Sequence, residues 1–290
     1  MRQLVITSGK GGTGKTTVAA CFITLAWRAG IADADVDAPN LHLILHPKVL
    51  EDEEFRGAKK AVKKEEACTG CGRCEEACRF GAISHLTIDP LRCEGCGVCV
   101  YVCPEQAISL EEVATGRLML SRTRYGRFAH ARLYIGAEAS GKLVTAVRRK
   151  AEAACEYEEL IIVDGSPGIG CAVIASLSGT DLALVVTEPS ASGLHDLERI
   201  LGVARHFGVS ALVCINKCDL SLELSEEIER YCLREGVELA GKIPFDPEVV
   251  KVIREGMPIE ELLNTRAGQA IGEIWETVRR RLQAPAHFES

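Results

Sequence analysis

The run SGKGGTGKTT, residues 8–17, restricts the fold more than any other stretch of this chain. It satisfies the pattern G-x4-G-K-S/T from Gly9 to Thr16, follows the apolar LVIT (4–7), and opens into the helical-looking TTVAACFITLAWRAG. Strand, glycine loop and helix in that order form a cradle for phosphate. Backbone N–H groups along Gly11, Gly12, Thr13, Gly14, Lys15, Thr16 and Thr17 face the anion, and the helix N-terminus adds its dipole. Lys15 is placed to reach the β and γ oxygens, and the Thr16 hydroxyl to hold Mg²⁺.

Further along, LIIV (160–163), LALVV (182–186) and ALVCI (211–215) are continuous apolar runs separated by helical stretches. Strands of that kind are buried on both faces, so the expected fold is α/β with a mostly parallel sheet flanked by helices. A length of 290 residues leaves room for a small α+β module beside one large domain. The net charge of −7 offers no basic face for nucleic acid. Met1 leads straight into the first strand, without the charged and apolar regions of a secretion signal. The apolar run at 171–179 is cut by Asp181 before it could span a bilayer. The expectation is a cytoplasmic protein away from the membrane.

Fourteen cysteines in such a chain argue for metal binding over disulfides, because the cytosol keeps thiols reduced. Eight of them form a repeat with a constant offset of 25 residues: CTGCGRCEEACRFGAIS begins at Cys68 and CEGCGVCVYVCPEQAIS at Cys93. Each copy reads C-x2-C-x2-C-x3-C, the run that binds two 4Fe–4S clusters in bacterial ferredoxins. Three thiolates two residues apart wrap one cubane, and the fourth turns to the other. The expected ligand sets are Cys68, Cys71, Cys74 and Cys103 for one cluster, and Cys93, Cys96, Cys99 and Cys78 for the second. Two structural zinc sites are the competing reading, but zinc joins paired C-x2-C knuckles across a longer gap. Pro104 follows Cys103 as the run expects, whereas Arg79 stands after Cys78.

Lys10 is the unusual letter in the glycine loop. With KGGTGKTT around it, the loop resembles the deviant Walker A of the MinD/Mrp/ParA and nitrogenase iron protein group. The resemblance implies an ATPase that forms a homodimer with nucleotide at the interface, where Lys10 reaches the partner's phosphates. By the same resemblance, DADVDAPNLHL (33–43) is a first switch, with Asp33 near Mg²⁺ and Asp35 orienting the attacking water. LIIVDGSPGIG (160–170) supplies Asp164 as a further Mg²⁺ carboxylate, and Asn216, Pro244 and Phe245 flank the base. The spacing from Lys15 to Asp33 is shorter than that group usually shows, which requires a truncated first helix or second strand. NKCD (216–219) also matches the N-K-x-D that reads guanine, although the deviant loop favours ATP. Asp37 and Asp246 read as a turn residue and a helix cap.

The whole length resembles MinD-superfamily ATPases carrying an inserted ferredoxin domain. The expected layout is a P-loop ATPase domain at 1–63 and 111–290, interrupted by a two-cluster insert at 64–110. The last helix carries Ile271, Ile274, Trp275, Val278 and Leu282 as an apolar stripe, read as packing on the sheet and not as a membrane anchor. Cys171, seven residues beyond Asp164, resembles a cluster-bridging cysteine of the nitrogenase iron protein, which would place a metal or cluster at a dimer axis. A free thiol is the alternative. The function expected is coupling of nucleotide state to electron transfer or to metal-cofactor maturation with a redox or assembly partner. A MinD/ParA-like positioning ATPase with redox-sensing clusters, or a cluster carrier, are the other readings.

Overall fold

The computed structural model describes residues 1–138 and 140–284. β1 (Arg2–Ser8) enters the glycine loop and α1 (Lys15–Ala26) leaves it, with Gly14 as the helix N-cap at φ 90°. A side chain at Gly14 would also meet the Asn216 amide, so glycine is required there twice over. Val18 through Ile23 of α1 are all buried, which makes it a core helix without a polar face. The short spacing to Asp33 is met by a tight turn, in which Trp27 and Arg28 take positive φ, and by β2 (Gly30–Asp33), only four residues long. α2 (Leu41–Leu45) and β3 (Lys48–Lys63) follow.

The chain continues through α3 (Arg73–Glu76), the hairpin strands β4 (Ile83–Ser84) and β5 (Thr87–Ile88), and α4 (Val98–Val102). Next come β6 (Ile108–Arg122) and β7 (Arg127–Leu133). Strand and helix then alternate: α5 (Gly141–Ala154), β8 (Leu160–Pro167), α6 (Cys171–Leu177), β9 (Leu182–Thr187), α7 (Ala191–His206) and β10 (Ser210–Asn216). α8 (Leu222–Arg234), β11 (Glu238–Ile243), α9 (Pro247–Arg254), α10 (Glu260–Leu263) and α11 (Arg266–Gln283) complete the series. Ser140, Ser190, Ser221, Asp246 and Thr265 each accept a backbone N–H at a helix start.

Two units result. The first holds Met1–Glu53, Leu118–Arg132 and the described residues after 138. Its sheet runs β11-β10-β9-β1-β8-β2-β7 and is completed by this unit's share of β6 and β3. The pairings of β1 with β8 and β9, of β10 with β9 and β11, and of β2 with β7 and β8 are parallel. This is the α/β sheet flanked by helices that the apolar runs imply. Register places Asp164 beside both Ile6 and Asp33, so β1, β2 and β8 end together beneath the glycine loop. Ile271, Ile274, Trp275 and Val278 of α11 are buried, with Trp275 packed 4.9 Å from Phe22 of α1. The apolar stripe of the last helix therefore belongs to the core. No described helix is long and apolar enough to cross a membrane.

The second unit comprises Glu54–Arg117 and Leu133–Glu138 and so takes in residues on either side of 64–110. Its buried core is small: Ala61, Cys74, Ala82, Ile83, Cys93 and Ile108. The repeat seen in the sequence is a repeat in structure. Ala82 N donates to Cys78 Sγ and Ala107 N to Cys103 Sγ, both at 3.3 Å. The part of β3 that belongs here, EFRGAKKAVK (54–63), is rich in charge and shows no alternation of apolar residues. Its ladder is set by neighbours in space, which is why β-propensity is a weak guide.

Candidate nucleotide site and cysteine pockets

Beside the glycine loop lies a cavity of about 680 Å³, within the range of small-molecule sites. Gly11 through Thr17 line it together with Asp35, and Cys171 faces it from the start of α6. Lys15 is buried and donates to Asp35 Oδ2 at 2.9 Å and to Asp164 Oδ1 at 3.1 Å. Burial alone would lower its pKa, but the two carboxylates outweigh it and push Lys15 up. Asp164 Oδ2 is buried without a partner among the described residues.

Asp33 does not line the cavity. It is fully buried and accepts Asp35 N on Oδ1 (3.2 Å) and Leu41 N on Oδ2 (3.3 Å), so it ties the segment from 33 to 41 in place. Burial pushes its carboxyl well above the usual range, and Asp164 adds to this. One ammonium thus pairs with two carboxylates, and Asp164 Oδ2 remains open to a further cation. Among the described residues no three His, Cys, Asp or Glu side chains converge on a single metal position. Mg²⁺ held by one or two protein ligands plus substrate phosphates needs no such cage.

Lys10 lies outside the cavity lining. Its Nζ is 2.7 Å from Glu188 Oε1 and donates to Ser190 and Ser192 hydroxyls at 3.2 and 3.0 Å. Glu188 also pairs with Lys217 at 3.2 Å, and Lys217 donates to Gly12 O at 3.2 Å. Burial would raise the Glu188 pKa, but hydrogen bonds from Lys10 and Lys217 hold it below the ordinary value. The loop pattern gave no signal for Glu188, which is distant in sequence and close only through β9.

Asn216 donates from Nδ2 to Thr13 O at 2.7 Å and so anchors the glycine loop. Pro244 and Phe245 lie apart from the cavity lining, with Phe245 N bonded to Asp219 Oδ1 at 2.7 Å. Asp37, read as a turn residue, is in a turn and also lines the cavity, as do Asn40 and Ser166. Asp246 caps α9, accepting Glu248 N at 3.0 Å, as its position before Pro247 suggests.

In the second unit, one pocket is lined by Cys68, Cys71, Cys74 and Cys103 and another by Cys78, Cys93, Cys96 and Cys99. Each takes three cysteines from one run and one from the other.

The CobQ/CobB/MinD/ParA nucleotide binding domain matches residues 4–259. The chain belongs to this family. An uncharacterized protein of Methanocaldococcus jannaschii is 29% identical over 283 residues, which cover 96% of each chain. A septum site-determining protein MinD of Mesostigma viride is 24% identical, covering 97% of this chain and 83% of that one. The structure of MinD from Pyrococcus horikoshii, complexed with Mg-ADP, superimposes with a TM-score of 0.60 at 18% identity over 99% of both chains. At that identity the likeness establishes a MinD-like fold. Membership of this P-loop ATPase family, with the strand–loop–helix intact, makes the chain a MinD/ParA-like ATPase.

Proposed function

We propose that the chain is a dimeric Mg-ATP-hydrolysing protein whose second unit, built around residues 64–110, carries two 4Fe–4S clusters, and that nucleotide state governs electron delivery or metal-cofactor maturation. One observation carries the cluster half: the eight cysteines fall into two four-cysteine pockets, each with the three-plus-one membership that two cubanes need. The fit extends to the donors around them. Backbone amides already point at the Cys78, Cys93 and Cys103 sulfurs, as they do around cluster thiolates. A unit with so few buried apolar side chains also needs reinforcement beyond its own core. The clusters would supply one-electron transfer.

In the ATPase half, the glycine loop amides hold the β-phosphate and Lys15 neutralises charge on the transferring group. Asp35, facing the cavity, positions the attacking water. Thr16 and Asp164 hold Mg²⁺, the latter through its unpartnered Oδ2, and Asp33 keeps that switch ordered from beneath. Lys10 serves the partner's phosphates once released from Glu188. ATP is favoured over GTP because the loop with Lys10 resembles the deviant Walker A of ATPases. The insert leaves the fold between the two switch segments in chain order, which is where a nucleotide-driven change would act on it.

The test is anaerobic EPR of dithionite-reduced protein with and without Mg-ATP, alongside iron and sulfide analysis. Spectra that shift with nucleotide support coupling. Stoichiometric zinc without sulfide removes the cluster reading, and identical spectra remove the coupling. The named relatives favour one second reading, a MinD/ParA-like positioning ATPase with redox-sensing clusters, in which lipid vesicles would stimulate hydrolysis. The burial of the α11 apolar stripe counts against that helix as the anchor.

A further inference from the structure

We propose that β3 makes the two clusters unequal, and that the one bound by Cys93, Cys96, Cys99 and Cys78 has the higher reduction potential and takes the first electron. This rests on the cluster reading above. The repeat would make the two pockets equivalent, and at most positions it does. Ala82 N to Cys78 and Ala107 N to Cys103 are the same contact in both copies, at 3.3 Å. Each pocket has one exposed cysteine, Cys71 or Cys96, and one lining glutamate, Glu105 or Glu94.

The equivalence fails at the first cysteine of each run. Cys93 Sγ accepts two backbone amides, Ala61 N of β3 and Gly95 N, each at 3.4 Å. No N–H reaches the Cys68 sulfur among the described residues. Each pocket has a β3 lysine bonded to a nearby carbonyl, Lys60 to Cys93 and Lys63 to Leu86 at 2.6 Å, but Lys63 is also paired with Glu65 at 3.1 Å. The β3 backbone approaches the second run more closely: a Cβ on Gly95 would stand 2.0 Å from Lys59 O, while at the equivalent Gly70 the nearest atom is Leu86 Cδ1 at 3.7 Å.

These differences act on the reduced state. A low-potential one-electron donor is oxidised, the cluster gains one negative charge, and no bond breaks. Amide dipoles and a neighbouring ammonium stabilise that added charge and raise the potential. Burial of Cys93 works the other way, since a low dielectric disfavours extra charge. Each ligand set has one buried thiolate, Cys74 or Cys93, whereas among the described residues the two amides at Cys93 have no counterpart at Cys68 and the Lys60 ammonium lacks the carboxylate partner that Lys63 has, so the net effect is upward.

The experiment is a mediated EPR titration of anaerobically purified full-length protein, after iron and sulfide have been counted. About eight of each per chain are expected; protein without iron would defeat the cluster reading itself, independently of the ordering. With clusters present, two resolved one-electron steps are expected. Cys96→Ser should change the signal of the higher step, and Cys71→Ser that of the lower. Ala61→Pro, which deletes the β3 amide, should lower the higher step and leave the other in place. Lys60→Gln should move the same step down, and it reports independently if the proline variant fails to fold. A single step for both clusters, assignment of the higher step to the Cys71 cluster, or variants that move the lower step would overturn the proposal.

Discussion

His130 of β7 should make the stability of the ATPase unit fall with acid in a way that a single substitution abolishes. The ring is buried at 7% exposure, with Nε2 2.9 Å from Ser121 Oγ of β6. It stacks on Phe128 at 4.5 Å and on His42 of α2 at 6.4 Å. Burial, then the neighbouring His42, pushes its pKa from 6.5 to about 4, while Asp52 of β3 pulls weakly upward. The folded state therefore keeps His130 neutral where the unfolded chain takes up a proton. The contribution to stability is complete above 6.5 and is lost as the pH falls toward about 4. Between about pH 7.5 and about pH 5.5 the loss is about 1 kcal/mol, from roughly 1.4 kcal/mol per pH unit over the part of the window below the unfolded value. Urea unfolding under anaerobic conditions at several pH values would measure it. His130→Gln lacks the titrating group, so its stability should fall less steeply, whatever constant offset the lost stacking introduces. Parallel pH profiles for the two proteins would refute the reasoning.

Lys15→Ala should abolish ATP hydrolysis and, by stranding the Asp35 and Asp164 carboxylates, lower unfolding stability by about 3 kcal/mol at neutral pH; an ATPase assay and denaturant titrations check both. Glu188→Gln frees Lys10 from a partly buried pair that contributes about 1 kcal/mol, so Mg-ATP-dependent self-association should tighten roughly fivefold in sedimentation. Unchanged association would mean that Lys10 has no role across a dimer. Gly95→Ala, forced against the Lys59 carbonyl, should lose more iron on purification than Gly70→Ala, although both positions have positive φ. Equal iron contents would show that β3 does not seat the second run.

Local sequence order determined the parts of this protein that are themselves local. The glycine loop, the cysteine runs, the continuous apolar strands and the Asp246 cap are contiguous patterns, and each needs only a few neighbouring residues to define its geometry. The pairings across the fold were decided by tertiary structure. Glu188 meets Lys10 because β9 lies beside β1, and Asn216 meets Thr13 because β10 lies beyond β9. Asp33 becomes a tie for the segment from 33 to 41 once Leu41 N comes within reach. β3 illustrates the difference best: a charged segment with no alternating pattern becomes a strand because β6 lies beside it in the sheet. Contacts of that kind join residues far apart in the chain, and no window of adjacent residues contains that information.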